Sequence, residues 1–231
     1  AVARKLEKTP VIVRDGAGFL VNRILAPYLN EAGWLLSDGA SIEDVDKALL
    51  DFGMPMGPFR LLDEIGLDVA RHVAQLMFEA FGARMEPAPA MKALATTKRL
   101  GKKGGSGFYK YDNDKAGDVD ETIYAELDAK RNGRTLPKSE IQDRCVYTMI
   151  NEAARILEDG IVAGPGDVDV GMIFGTGFPP FRGGLLKYAD TIGTAKVAAT
   201  LERYARELGP RFQVAPLLAR KAAANEGFYS K

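Results

Sequence analysis

The chain has one cysteine, Cys145, and one histidine, His72, among 231 residues. A lone cysteine closes no internal disulfide, and a reducing, intracellular setting is the simple expectation. No Ser-His-Asp order and no Cys or His cluster with ligand spacing is present, so neither a catalytic triad nor a metal site is expected. Lys+Arg and Asp+Glu are both 31, giving zero net charge, which argues against non-specific binding to nucleic acid or to an anionic membrane. No apolar run approaches the roughly 20 residues of a membrane span. The N-terminus, AVARKLEKTP, lacks the apolar core of a signal peptide. Neither Gly-x-Gly-x-x-Gly nor Gly-x-x-x-x-Gly-Lys-Ser/Thr occurs, so both common nucleotide fingerprints are missing. The chain starts at Ala1 and not at Met, which suggests a piece of a longer protein.

What remains is an ordinary globular composition, 46% hydrophobic and 27% charged, on a length suited to one large domain or two of about 100 residues. Thr9-Pro-Val-Ile-Val-Arg is a β-branched run that reads as one strand with no neighbour to pair with. From Phe19 the period becomes helical: Val21, Ile24, Leu25, Tyr28, Ala32, Leu35 and Leu36 follow i, i+3, i+4 spacing. Asn22 sits at the border of that apolar arc. Pro27 predicts a bend just after it, and Asp38-Gly39 an end. Ser41 to Asp44 caps a second helix that runs to about Phe52. Gly53-Met-Pro-Met-Gly-Pro58 breaks the chain, and Phe59 to Phe81 is helical with a break at Gly66. A helix over Ala90 to Leu100 precedes the basic turn Gly101-Lys-Lys-Gly-Gly-Ser-Gly107 and an extended Phe108-Tyr-Lys-Tyr111. Asp112 to Asp120 suits a linker. Glu121 to Arg131 predicts a connecting helix stopped by Asn132-Gly133, and Ser139 with Gln142 a capping box on the next helix.

The pattern then repeats. Arg23, Asn30-Glu31-Ala32 and Asp38-Gly39 recur as Arg144, Asn151-Glu152-Ala153 and Asp159-Gly160, all 121 residues on. Asp44-Val45-Asp46 recurs as Asp167-Val168-Asp169, Gly53-Met-Pro55 as Gly177-Phe-Pro179, and Gly107-Phe108-Tyr109 as Gly227-Phe228-Tyr229. This ordered series at nearly one spacing indicates a duplication. Asn22 is not kept: its counterpart is Asp143, and that of Val21 is Gln142. The first copy therefore faces the chemistry and the second supports packing.

Few side chains can carry chemistry. His72 has the spacing of a core-edge residue, and a structural role is favoured because no orienting carboxylate can be argued for it. The Gly101 to Gly107 turn can be drawn as a phosphate cradle with Lys102 or Lys103, but it does not lie between a strand and a helix, and a plain turn is the favoured reading. The Gly175 to Gly184 segment is a shaped loop that either lines a ligand groove or joins two helices steeply. For Asn22, a local cap and a functional role stand even.

Thr9-Pro-x-x-Val-x-Asp-x-x-Gly18-Phe-Leu-Val-Asn22-Arg, Asp44-Val-Asp46, Gly53-Met-Pro-Met-Gly-Pro58 and Gly101 to Tyr111 closely resemble the C-terminal domain of L-3-hydroxyacyl-CoA dehydrogenases. Gly177-Phe-Pro-Pro-Phe-Arg-Gly-Gly184 resembles the matching loop of the second such domain in multifunctional fatty-acid oxidation enzymes. The resemblance implies an all-α fold of two tandem helical domains packed as a pseudo-dimer, with a short N-terminal strand remnant. Residues 1–16 would be the last Rossmann strand and a linker, 17–112 the first domain, 113–137 a linker with a helix, and 138–231 the second domain. It also implies oxidation of an acyl-CoA's 3-hydroxyl with NAD as acceptor in fatty-acid β-oxidation. The family's His–Glu base would lie in an N-terminal Rossmann domain outside these residues, so the chain alone is expected to be inactive. By the same resemblance Asn22 contacts substrate near the reacting centre, Lys103 reaches toward the NAD phosphates, and Phe174 stands where some multifunctional relatives have a substrate-contacting tyrosine. A thiolase subunit is an implied partner, and the location would be cytoplasmic in a bacterium, or mitochondrial or peroxisomal in a eukaryote. The rival reading is a non-catalytic association module for dimerisation or thiolase docking. A 6-phosphogluconate-type dehydrogenase does not account for Gly18 to Arg23 together with Gly177 to Gly184.

Overall fold

The fold is that of a computed structural model, which describes residues 5, 9–113, 115–129 and 136–229. Among them are eleven α-helices and one two-stranded hairpin: α1 Val21–Ser37, α2 Ile42–Phe52, α3 Pro58–Ile65, α4 Leu67–Phe81, α5 Pro89–Ala93, β1 Tyr109–Asp112, β2 Lys115–Val119, α6 Thr122–Glu126, α7 Lys138–Glu158, α8 Pro165–Thr176, α9 Leu185–Ile192, α10 Thr194–Leu208 and α11 Pro216–Ala224. The chain is all-α in class, as the resemblance implies. It divides into two compact units: Ala1–Leu25 with Met149–Lys231, and Ala26–Thr148. Both cuts fall inside the long helices α1 and α7.

In the Ala26–Thr148 unit, α1 continues through Pro27, which has no N–H to give the Arg23 carbonyl. Its apolar stripe, Tyr28, Ala32, Leu35 and Leu36, is buried. Ser41 caps α2 by accepting the Asp44 N–H at 3.0 Å, and Gly53 closes it at φ 114°. One turn into α2, buried Asp46 accepts the Phe59 and Arg60 amides at 2.9 and 3.1 Å. It thereby satisfies the orphan donors at the start of α3. Gly57 is required there, because a Cβ would lie 2.2 Å from the Asp46 carboxyl carbon. Asp63 at the far end of α3 accepts the Phe108 and Tyr109 amides, both at 2.9 Å, which folds the Gly107-Phe-Tyr segment back. Phe108 then lies against Phe59, ring centroids 4.6 Å apart. Asn30 receives the Ala88 amide and donates to the Glu86 carbonyl, both at 2.8 Å.

The unit of Ala1–Leu25 with Met149–Lys231 makes the same bonds. Asp169 accepts the Leu186 and Lys187 amides at the start of α9. Asp190 accepts the Phe228 and Tyr229 amides. Asn151 bridges the Gln213 carbonyl and the Ala215 amide. The motifs repeated in the sequence are thus the carboxylates and amides that tie helix starts and returning loops together.

The buried arginines exchange partners between the repeats. Arg23 donates to Glu152 at 2.8 Å and Asp159 at 2.7 Å, and Arg144 donates to Glu31 at 2.7 Å and Asp38 at 2.8 Å. Each repeat's arginine pairs with the other repeat's acids. That is why the compact units are not the sequence repeats: residues up to Leu25 belong with the second copy's helices.

Several local expectations give way. Thr9 to Arg14 forms no strand among the described residues; its ladder bonds have no neighbouring strand, and the Arg14 amide donates instead to the Ile161 carbonyl. The helix expected to reach Leu100 ends at Ala93, followed by one 3₁₀ turn over Leu94–Thr96. Thr96 and Thr97 hydroxyls take the Ala93 and Leu94 carbonyls, competing with the helix. The Asp112 to Asp120 linker holds an antiparallel hairpin, β1 with β2. The helix expected over Glu121 to Arg131 is short, with Asp128 at φ 48°, and its Asn132-Gly133 stop lies outside the described residues. The Ser139–Gln142 capping box does not form: α7 begins at Lys138, and the Gln142 side-chain Nε2 donates to the Ala48 carbonyl. His72 is exposed on α4 and is not a core-edge residue.

Two outcomes follow from these pairings. Arg144→Met removes the guanidinium that pairs with Glu31, 1% exposed, and should cost about 3–5 kcal/mol in urea unfolding, with much of that regained in Arg144→Met/Glu31→Leu. Burial raises the Asp46 carboxyl to about 6, against the lowering effect of its Phe59, Tyr109 and Arg60 hydrogen bonds. A carboxyl that holds its proton more tightly when folded stabilises fully below about 4 and loses that contribution as pH rises through about 6. The stability difference between wild type and Asp46→Asn should therefore move against wild type across that window, by up to about 3 kcal/mol.

Candidate functional site

In the unit of Ala1–Leu25 with Met149–Lys231, the start of α1, one face of α8 and the extended residues 9–13 enclose an open groove of about 420 Å³. Its walls are mainly apolar: Val11, Val13, Phe19, Val21, Val170 and Phe174. Asn22 lines it, exposed, with a carboxamide bonded to no described residue. Its neighbour Arg23 points inward to Glu152 and Asp159, so the helix start is anchored by one residue and presents the next.

The approach to that helix is strained. Gly18 has φ 71° and Phe19 φ 49°. The left-handed region is open to glycine but costs a bulky residue about 1–3 kcal/mol. The turn is held by the Phe19 amide on the Gly16 carbonyl at 2.9 Å and by the Arg23 amide on the Gly18 carbonyl at 3.2 Å. It turns Phe19, 53% exposed, out beside the groove.

Close approach of α8 makes the opposite wall. Cβ atoms on Gly171 and Gly175 would lie 2.5 Å from Leu20 and 2.8 Å from Val21. Phe174, 72% exposed, stands on the groove face of α8. Asn22 and Phe174 thus come together in one groove. Val170 and Gly171 were not among the sequence candidates, and Gly175, expected to open a loop, lies inside α8. The signal was available in the register of α8 against α2, where Lys47, Ala48, Asp51 and Phe52 stand opposite Val170, Gly171, Phe174 and Gly175.

Lys103 belongs to the Ala26–Thr148 unit, on the 3₁₀ turn Lys102–Gly104. Its ammonium pairs with Asp68 at 2.6 Å and, with burial opposing, holds that carboxyl below its ordinary value. The turn's amides serve the loop itself: Gly101 donates to Ser106, Gly104 to Gly101, Gly105 to Lys102 and Gly107 to Tyr109. Buried Arg99 braces the loop through Ser106, the Gly107 carbonyl and Asp120. This is a braced turn and not an open phosphate cradle, and the Lys103 ammonium is held by Asp68. No group of three or more His, Cys, Asp or Glu able to hold a metal occurs among the described residues, and no described helix is long and apolar enough to cross a membrane.

The helices and the repeated carboxylate ties fall within two segments that match one known family. The 3-hydroxyacyl-CoA dehydrogenase C-terminal domain matches twice, over residues 18–111 and 141–229. The fatty acid oxidation complex subunit alpha of Shewanella sp. (strain ANA-3) is 47% identical over 99% of this chain and 33% of its own length, and that of Shewanella baltica (strain OS185) gives the same figures. Among solved structures, 3-hydroxybutyryl-CoA dehydrogenase from Escherichia coli K12 superposes with a TM-score of 0.77 at 25% identity, covering 97% of this chain and 63% of that one. The dehydrogenase part of multifunctional enzyme 1 from C. elegans gives 0.68 at 26% identity, covering 94% and 50%. The chain belongs to the 3-hydroxyacyl-CoA dehydrogenase family and carries its C-terminal domain in two copies. It spans about a third of the length of the curated relatives it matches.

Because the Lys103–Asp68 pair is exposed, Lys103→Ala should leave the urea-unfolding midpoint of the chain essentially unchanged.

Proposed function

We propose that these residues form the substrate-side half of an NAD-dependent L-3-hydroxyacyl-CoA dehydrogenase of fatty-acid oxidation, working with a dinucleotide-binding part of the full-length protein. The observation that carries this reading is Asn22: exposed, free of partners among the described residues, and fixed at the edge of an apolar groove by buried Arg23. A carboxamide so placed can donate to an oxygen on which negative charge collects as the 3-hydroxyl becomes a ketone. Donors of that kind contribute only when pre-positioned, and the buried arginine pair supplies the positioning. Asp143, its counterpart in the second repeat, lacks an N–H donor, which supports a single working site.

The base and the dinucleotide fold are assigned to the remaining part of the protein. Lys103 is the residue proposed to approach the cofactor phosphates, for which it must leave Asp68. Phe174 contacts substrate through its ring alone, without the hydroxyl a tyrosine would bring. A soluble bacterial setting is in keeping with the Shewanella relatives. A second reading, docking of a partner subunit such as a thiolase, is favoured by Phe181. It is 76% exposed on the 3₁₀ turn Pro180–Arg182, with the Arg182 guanidinium 5.3 Å from its ring centre.

Three measurements test this. The 231-residue chain given acetoacetyl-CoA and NADH should oxidise no NADH; turnover would refute the division of labour. In the full-length protein Asn22→Ala should lower kcat/KM by about 10²-fold with unfolding unchanged, as expected for an exposed side chain, and Asn22→Asp should not restore it. An unchanged kcat/KM in Asn22→Ala removes Asn22 from the site.

A further inference from the structure

The groove beside Asn22 is not a by-product of the repeated fold, because the same place in the first repeat is built differently. There, Lys47 and Asp51 occupy the helix positions that Val170 and Phe174 hold in α8. Asp51 is paired with Lys138. Gln142, the counterpart of Val21, donates to the Ala48 carbonyl at 2.7 Å. Phe52 is buried at 2% where α8 has Gly175. One helix-pair geometry thus carries a charged, cross-bonded surface in the Ala26–Thr148 unit and an open apolar channel in the other unit. The exchange is concerted: two charged residues become apolar, and a buried phenylalanine becomes glycine.

Exposed apolar walls of this kind cost solubility unless something apolar occupies them. A volume of about 420 Å³ lies within the range of small-ligand sites, roughly 300–1,000 Å³. Resting on the function proposed above, we propose that this channel takes the aliphatic tail of the acyl-CoA. Val170, Gly171 and Gly175 then set the chain length accepted: the two glycines let α8 approach α1, and Val170 supplies wall. The occupant is identified by three features together: walls lined mostly by apolar side chains, with Asn22 and Thr9 as the polar side chains, the Asn22 carboxamide at one edge where a chain's functional end would lie, and a width set by missing side chains. A side chain at 175 pushes Val21, whose Cγ atoms would lie 2.8 and 3.1 Å from the new Cβ, into the space for the tail.

The test uses the full-length protein with 3-ketoacyl-CoA substrates of four and sixteen carbons. It reads the ratio of the two kcat/KM values, long over short, with folding checked by circular dichroism. Val170→Lys, which imports the first repeat's residue at a half-exposed position, should lower the ratio at least tenfold, and Gly175→Ala should lower it in the same direction. A ratio unchanged within twofold in Val170→Lys overturns the proposal and leaves the groove to a neighbouring part of the protein. Asn22→Ala separates the two ideas. A fall at both chain lengths with no ratio change in Val170→Lys ends this inference and keeps the dehydrogenase reading. A silent Asn22→Ala ends that reading.

Discussion

The exchange of partners between Arg23 and Arg144 is the constraint on which the rest depends. A guanidinium at 1–4% side-chain exposure cannot remain without carboxylates, since several kcal/mol of desolvation must be offset by well-aligned hydrogen bonds. Each arginine finds them in the other repeat. The reciprocity, residue i on j and j's counterpart on i's, is the pattern that a self-complementary interface generates, here written into one chain. It draws residues up to Leu25 away from the rest of their own repeat, and so carries Asn22 to α8 and the groove.

Duplication supplies two copies of a scaffold and lets one copy drift. The carboxylate ties at Asp46 and Asp169, the second pair at Asp63 and Asp190, and the carboxamide bridges at Asn30 and Asn151 are kept, because each satisfies backbone groups that would otherwise be buried without partners. Their surroundings are kept with them: Gly57 and Gly184 leave no room for a Cβ beside those carboxyl groups. The helix faces that no backbone bond depends on have diverged. One became a polar surface with the Asp51–Lys138 pair, the other an apolar channel with Phe174 and Val170.

The strain at Phe19 fits this division. A residue in the left-handed region persists where surrounding structure over-determines it, and here the Gly16 and Gly18 carbonyls and the anchored Arg23 do so. The turn lies at the groove and not in the conserved scaffold, consistent with strain being held where a side chain must face outward.

Sequence by itself determined the helical class, the duplication, the Ser41 cap, the breaks at Gly53 and Gly66, and Asn22 as the residue that breaks the repeat. These rest on local periodicity, capping chemistry and backbone freedom, which are written within a few neighbouring residues. Only the tertiary structure decided that Ser139 would lie inside a helix, that threonine hydroxyls would end α5 early, that Asp112 to Asp120 would hold a hairpin, and that Lys103 would be paired with Asp68. It also decided which acids answer which arginine. The lysine and arginine pairings are set by partners 35 to 136 residues distant in sequence, and a pattern read along the chain carries no record of which far segment arrives, whereas the threonine bonds and the hairpin are local contacts. The groove shows both sides: its residues were visible as substitutions between repeats, but that Gly171 and Gly175 open a channel follows only once α8 is laid against the start of α1.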